Sequence, residues 1–168
     1  MNKEIKGKII VVGNNIDTDQ IYPGRFLALT DPKEIGGHCL SGVDESIGAA
    51  FPEGGIVIAG TNFGCGSSRE HAAIALINMG ASAVIADSFA RIFYRNAINL
   101  GLPLIVCKGI NKEVEKGQTL TVDLENGTIT VSETGKAYTC DKLGEQAMMI
   151  LETGGIKPLM RARFNKEQ

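Results

Sequence analysis

Apolar positions fall in short runs of two styles. Lys8–Val12 (KIIVV), Ile56–Gly60 (IVIAG), Ser82–Asp87 (SAVIAD) and Leu102–Cys107 (LPLIVC) are brief, largely β-branched and without alternation. Such runs predict strands buried on both faces. Between the second and third, Arg69–Met79 is rich in Ala and Leu and predicts a helix, apolar nearly all round and so buried. SFARIFYRNAINLG predicts a second helix, stopped by Gly101 and Pro103. Strand–helix–strand–helix–strand implies a partly parallel sheet with right-handed crossovers.

Beyond Cys107 the pattern changes. LTVDLENGTITVS alternates apolar and polar residues around Asn126-Gly127, a strong hairpin signal. A last helix is expected near Leu143 to Glu152, ending at Gly154-Gly155. Gly36–Gly55 has few periodic residues and reads as a mobile loop. The expected fold is a compact single-domain α/β unit over 1–168, a mixed sheet with helices plus an antiparallel hairpin. Its core runs from about 8 to 155, with a tail from about 156 to 168.

Composition removes several function classes. Lys and Arg number 17 and Asp and Glu 19, without the basic excess of a nucleic-acid or anionic-membrane binder. No nucleic-acid or membrane partner is expected, and RARF near the end reads as a solvated tail. MNKEIKGKIIVVG lacks the apolar core of a signal peptide, so a cytoplasmic location is expected. Cys39, Cys65, Cys107 and Cys140 are scattered with no C-x-x-C pair, so no metal is expected to bind this chain.

The candidate chemistry lies at the mouth of the first long helix, in GTNFGCGSSREHAAIAL. Gly64 and Gly66 permit positive φ and close backbone approach to a ligand. A helix start offers unpaired N–H groups and a positive dipole end, and Arg69 adds a planar fork matched to a carboxylate. Ser67-Ser68-Arg69-Glu70 also spells a capping box, so both a cap and an anion site are open readings. The P-loop lysine is absent, and G-x-G-S-S is not a G-x-S-x-G nucleophile turn. His71, in the first helical turn, is either structural or within reach of the site. Asp17-Thr18-Asp19-Gln20 with Arg25 is a second polar group, equally suited to a pocket wall or to Asx-turns with a surface ion pair.

NIDTDQIYPGRFL, NFGCGSSREHA and SFARIFYRNAINLGLP, in this order, resemble the small subunits of the isopropylmalate dehydratase and homoaconitase family. The resemblance covers nearly the whole chain and implies the swivelling β/β/α fold of the aconitase C-terminal domain type. It implies a large partner subunit carrying a 4Fe-4S cluster, and reversible dehydration and hydration of a malate-type hydroxy acid. Carried over by position, Ser67 is the catalytic base. Ser68, Arg69, Thr18 and Asp19 bind substrate, with Arg25 and His71 as further candidates. On this reading the helix mouth is both a cap and half of a carboxylate-binding site.

In this family the loop after the DTD motif, here Phe26, Leu27, Ala28, Leu29 and Thr30, separates substrates. Homoaconitase-like members tend to carry an arginine where this chain has Ala28. An apolar loop favours an alkyl group, since a buried unpaired carboxylate is costly. The expected substrate is 3-isopropylmalate. The alternatives are a 2,3-dimethylmalate or citramalate-type substrate, homoaconitate received by Arg25, or a catalytically silent binding module of the same fold.

Overall fold

A computed structural model describes residues 3–167, with the side chains of 166 and 167 not included. Met1, Asn2 and Gln168, the ends of the expected single-domain span, lie outside the described residues. Strand β1 (Glu4–Val11) leads into the short helix α1 (Thr18–Ile21), a 3-10 turn at Gly24–Phe26, and helices α2 (Pro32–Gly37) and α3 (Ile47–Ala50). The parallel half follows as β2 (Ile56–Ile58), α4 (His71–Met79), β3 (Ala83–Ala86), α5 (Arg91–Asn99) and β4 (Leu104–Val106). The antiparallel half is β5 (Thr119–Asp123), β6 (Thr128–Val131) and β7 (Ala137–Thr139), before α6 (Glu145–Glu152) and α7 (Ile156–Glu167).

All seven strands form one mixed sheet in the order β4-β3-β2-β1-β5-β6-β7. β1 joins its two halves. Ile9, Ile10 and Val11 pair in parallel with β2, whereas Glu4 to Lys8 pair antiparallel with β5. This explains why the strand starts before the expected Lys8. Its first half alternates partly exposed residues on the antiparallel side, so no continuous apolar run marks it.

Period-two alternation sorts the strand residues into two cores. Ile10, Val57, Val84 and Leu104 face the helices, with Leu76 and Phe93 packed against them. Ile9, Ile56, Ile85 and Ile105 point the other way, to meet Leu120, Val122 and Ile129 from the antiparallel half. Burial on both faces is what the unalternating runs predicted.

The expectation of a mobile loop over Gly36–Gly55 is corrected. This segment contains the end of α2 and all of α3, and Cys39 and Leu40 are fully buried. Periodicity is missing because backbone approach replaces side-chain packing. A Cβ on Gly36 would run into the Asn78 carbonyl at the end of α4. The C-terminal stretch expected as a solvated tail is helix α7. Leu159 is buried under it, while Met160 and Phe164 remain exposed. No helix among the described residues is long and apolar enough to cross a membrane.

The β5–β6 turn carries its own carboxylate clasp. Asp123 accepts from the backbone N–H of Asn126 and Glu125, each at 3.0 Å, and from Asn126 Nδ2 at 2.7 Å. These donors, the Asn126 amide first, hold its carboxyl below the usual carboxylate range. The charged form is therefore favoured by folding. Its contribution is present above the unfolded value of about 3.9 and is lost as pH falls through the depressed folded value. Thermal melts over a pH series should show this loss below about pH 4 in the native chain, and a shallower loss in Asp123→Ala.

Candidate functional site

The loops that leave the carboxyl ends of β1 and β2 are laced together by backbone. Gly60 N–H donates to Gly13 O (3.1 Å), Asn15 to Thr61 O (2.8 Å), Gly64 to Ile16 O (2.8 Å) and Thr18 to Cys65 O (2.8 Å). The parallel register of the strands thus continues into the loops and brings the two polar groups face to face. The second loop is also anchored below. Phe63 is fully buried and meets the Phe93 ring edge-on at 5.4 Å, while Ala90 N–H donates to Phe63 O (2.9 Å).

Gly64 is the position that only glycine can fill. Its φ is +88°, and a Cβ would collide with the Phe93 ring. Across the junction, Ser67 N–H donates to Thr18 Oγ1 at 3.0 Å. Ser67 Oγ accepts from Arg69 N–H at 3.1 Å. Asn96 of α5 donates from Nδ2 to Ser68 O at 3.0 Å, which ties the loop to the neighbouring helix.

The capping reading of Ser67 to Glu70 is overturned. Helix α4 starts at His71, its N-cap is Glu70 in helical backbone conformation, and no side chain caps it. The capping box lies in the other loop. Asp17 accepts from Gln20 N–H at 2.7 Å, and Gln20 Oε1 accepts from Asp17 N–H at 3.0 Å. Ser67 is therefore not used as a helix cap.

Thr18, Asp19, Ser67, Arg69 and His71 line one solvent-open cleft of about 70 Å³. Leu27 of the expected specificity loop lines it too, whereas Arg25, Phe26, Ala28, Leu29, Thr30 and Ser68 do not. Arg25 is turned to Glu45 at 3.8 Å, and its guanidinium lies 4.5 Å from the Phe26 ring centre. Asp19 makes no ion pair with it and instead accepts from Gly24 N–H at 3.1 Å. Arg69 forms no ion pair among the described residues. Arg69 and the first-turn residues His71 and Ala72 of α4 line the cleft, which puts a guanidinium-bearing residue and the positive end of the helix beside it.

Tyr22, Gly24 and Ala72 also line the cleft and were missed from sequence. Tyr22 stands one helical turn after Thr18, so reading DTDQIY as a turn of helix would have found it. Its hydroxyl donates to Phe26 O at 2.7 Å, and burial raises its pKa. The segment from 38 to 42 supports this wall from behind. Leu40 N–H and Gly42 N–H cap the Ile21 and Gln20 carbonyls, and the His38 ring stacks on Phe26 at 4.0 Å. Among the described residues, no three His, Cys, Asp or Glu side chains are gathered as a metal site.

The matched family model is the aconitase C-terminal domain, over residues 52–108, the stretch that holds β2, the Ser67 loop and α4 to β4. A crystal structure of 3-isopropylmalate dehydratase from Methanocaldococcus jannaschii superposes with a TM-score of 0.93 at 41% identity, covering 98% of this chain and 97% of that one. The fold is thus the swivelling aconitase C-terminal type. The isopropylmalate/citramalate isomerase small subunit of the same organism is 48% identical over 168 residues, all of both chains. A 3-isopropylmalate dehydratase small subunit from Methanopyrus kandleri is 48% identical over 161 residues, 96% of this chain and 95% of that one. The chain belongs to the small-subunit family of isopropylmalate dehydratase and homoaconitase-type hydro-lyases.

The junction gives a direct test of this geometry. Gly64→Ala combines a strained positive φ with a collision at Phe93. It should lower stability by roughly 2–4 kcal/mol in urea denaturation.

Proposed function

We propose that this chain works with a large, cluster-bearing subunit to interconvert 2-isopropylmalate and 3-isopropylmalate through the dehydrated intermediate. The observation that carries the reading is the meeting of Thr18, Asp19, Ser67 and Arg69 on one shallow cleft. At about 70 Å³ the cleft is well short of the several hundred Å³ of a complete small-molecule site. Half of the enclosure is left for a partner to supply.

The residues of this chain divide the work as follows. Ser67 Oγ takes the proton from the carbon beside a substrate carboxylate, and returns it in the hydration direction. A free serine is a weak base, so its alkoxide needs donors in a closed, dry site. The Arg69 N–H at 3.1 Å is one such donor, already aimed at Oγ. The Arg69 guanidinium and the start of α4 receive a substrate carboxylate. Thr18 holds the Ser67 backbone in place, with Asp19 beside it at the cleft wall. Ser68 joins substrate binding once the partner closes the site. In the partner, the 4Fe-4S cluster would supply an open iron acting as Lewis acid on the substrate hydroxyl and carboxylate.

Leu27 at the cleft wall supports an alkyl substituent. The Arg25 contact with Glu45 supports the same choice over homoaconitate, because it keeps Arg25 out of the cleft and leaves Arg69, among the described residues, as the one arginine lining it. A methyl-substituted malate is the second reading, favoured by the dual name of the Methanocaldococcus relative.

Anaerobic co-purification with the partner, followed by hydration assays, tests the assignment. Ser67→Ala should assemble normally and lose at least about 10³-fold in turnover. Normal turnover in that variant would remove Ser67 as the base, and a chain that never gains a partner or activity would remove the hydro-lyase reading. Leu27→Ala should narrow the preference for isopropyl over methyl substrates by about 10-fold or more in kcat/KM.

A further inference from the structure

The sheet has two edge strands, β4 and β7, and the chain brings them together. Cys140 N–H donates back to Gly127 O at 2.8 Å, on the antiparallel side. The next residue, Asp141, donates its N–H to Val106 O of β4 at 2.9 Å. Two consecutive residues thus span the seam between the edges, and two of the four cysteines lie on it. Cys107 directly follows β4 and Cys140 directly follows β7, at 3% and 8% exposure.

The thiols face each other across this seam. Cys107 Sγ is 3.8 Å from the carbonyl of Thr139, the residue before Cys140, and Asp141, the residue after it, is bonded to Val106, so the two cysteines lie side by side. The Cys140 thiol beside it pushes the Cys107 thiol up, with burial adding to the effect. The same pairing draws Cys140, with Cys107 as its neighbour, below the ordinary thiol range. A solvent-facing recess of about 210 Å³ is lined by Cys107, Lys108, Gly109, Tyr138 and Thr139; Cys140 does not line it but follows Thr139 directly and is the more exposed cysteine of the two. All four cysteines are free thiols, and Cys39 and Cys65 do not lie on the seam.

We propose that Cys107 and Cys140 are a reversible disulfide site, oxidised by a hydroperoxide, whose bond fastens the two edges of the sheet to each other. The Cys140 thiolate attacks a peroxide oxygen, the O–O bond breaks, and hydroxide leaves with a proton as water. Cys140 is then a sulfenic acid. The Cys107 sulfur attacks the Cys140 sulfur, the S–O bond breaks, and the Cys107 proton leaves with the hydroxyl as a second water. Two thiols and one peroxide become one disulfide and two waters, with two electrons passing to the peroxide. A dithiol reductant returns them. The site lies apart from the cleft and does not depend on the hydro-lyase reading.

The test uses the full chain, reduced and then treated with hydrogen peroxide, mapped by mass spectrometry without reduction. Two of the four thiols should disappear, with a mass loss of about 2 Da and one cross-link joining the Cys107 and Cys140 peptides. The melting temperature should rise on the order of 5–10 °C and return after dithiothreitol. Cys140→Ser should show neither the cross-link nor the rise. Free thiols at both positions after peroxide, or separate sulfinic acids without a cross-link, would overturn the site. A cross-link without any rise in melting temperature would overturn the fastening of the edges.

Discussion

Four backbone hydrogen bonds, from Gly60, Asn15, Gly64 and Thr18 to the facing loop, carry the parallel pairing of β1 and β2 past the ends of the strands. Loop backbone that leaves a sheet must satisfy its N–H and C=O groups somewhere. Here each loop serves as partner to the other. Because these bonds continue the strand register, they determine which residue of one loop stands opposite which residue of the other. The placement of the Thr18 hydroxyl under the Ser67 N–H follows from that register. So does the orientation of the Ser67 hydroxyl, which depends on where its own backbone is held.

The same lacing distributes the polar side chains. Asp17 and Gln20 are used up in a capping box that stiffens a four-residue helix too short to be stable alone. Ser67 and Arg69 are left without a helix-capping duty, since α4 begins later and goes uncapped by any side chain. The bond between them runs from Arg69 N–H to Ser67 Oγ. A helix start without a side-chain cap, and a guanidinium with no ion pair among the described residues, leave positive charge at the cleft unneutralised. That suits a subunit whose ligand and covering surface arrive together from elsewhere.

Much of this was readable along the chain. Unalternating β-branched runs marked the strands buried on both faces, and Asn126-Gly127 marked the hairpin. The polar residues of the cleft stood out because loops with glycine, serine, aspartate and arginine next to apolar elements are chemically conspicuous. Less was visible where packing goes through backbone. Gly36 against Asn78 leaves no side-chain period to detect, so residues 36–55 read as loose although Cys39 and Leu40 are fully buried. The N-terminal half of β1 was hidden for a related reason, since its partly exposed, charged residues lean on β5 and not on a continuous apolar core. The S-x-x-E spacing at Ser67 pointed to a cap that did not form. Such a box needs the helix to begin at that residue, and the bonds to the β1 loop hold Ser67 outside it.

The sequence by itself determined the class of fold, the order of its elements and the residue types able to do carboxylate chemistry, because periodicity, turn residues and side-chain chemistry are local properties. Only the tertiary structure decided which of those residues meet. Leu27 reaches the cleft and Ala28 does not, Arg25 is turned to Glu45, and Tyr22 enters as an unannounced wall. It alone decided that Cys107 and Cys140, far apart in the chain and following strands at opposite ends of the sheet order, lie side by side. These are contacts between distant segments, set by strand register and by how the sheet curls, and neither is encoded in the spacing of any one motif.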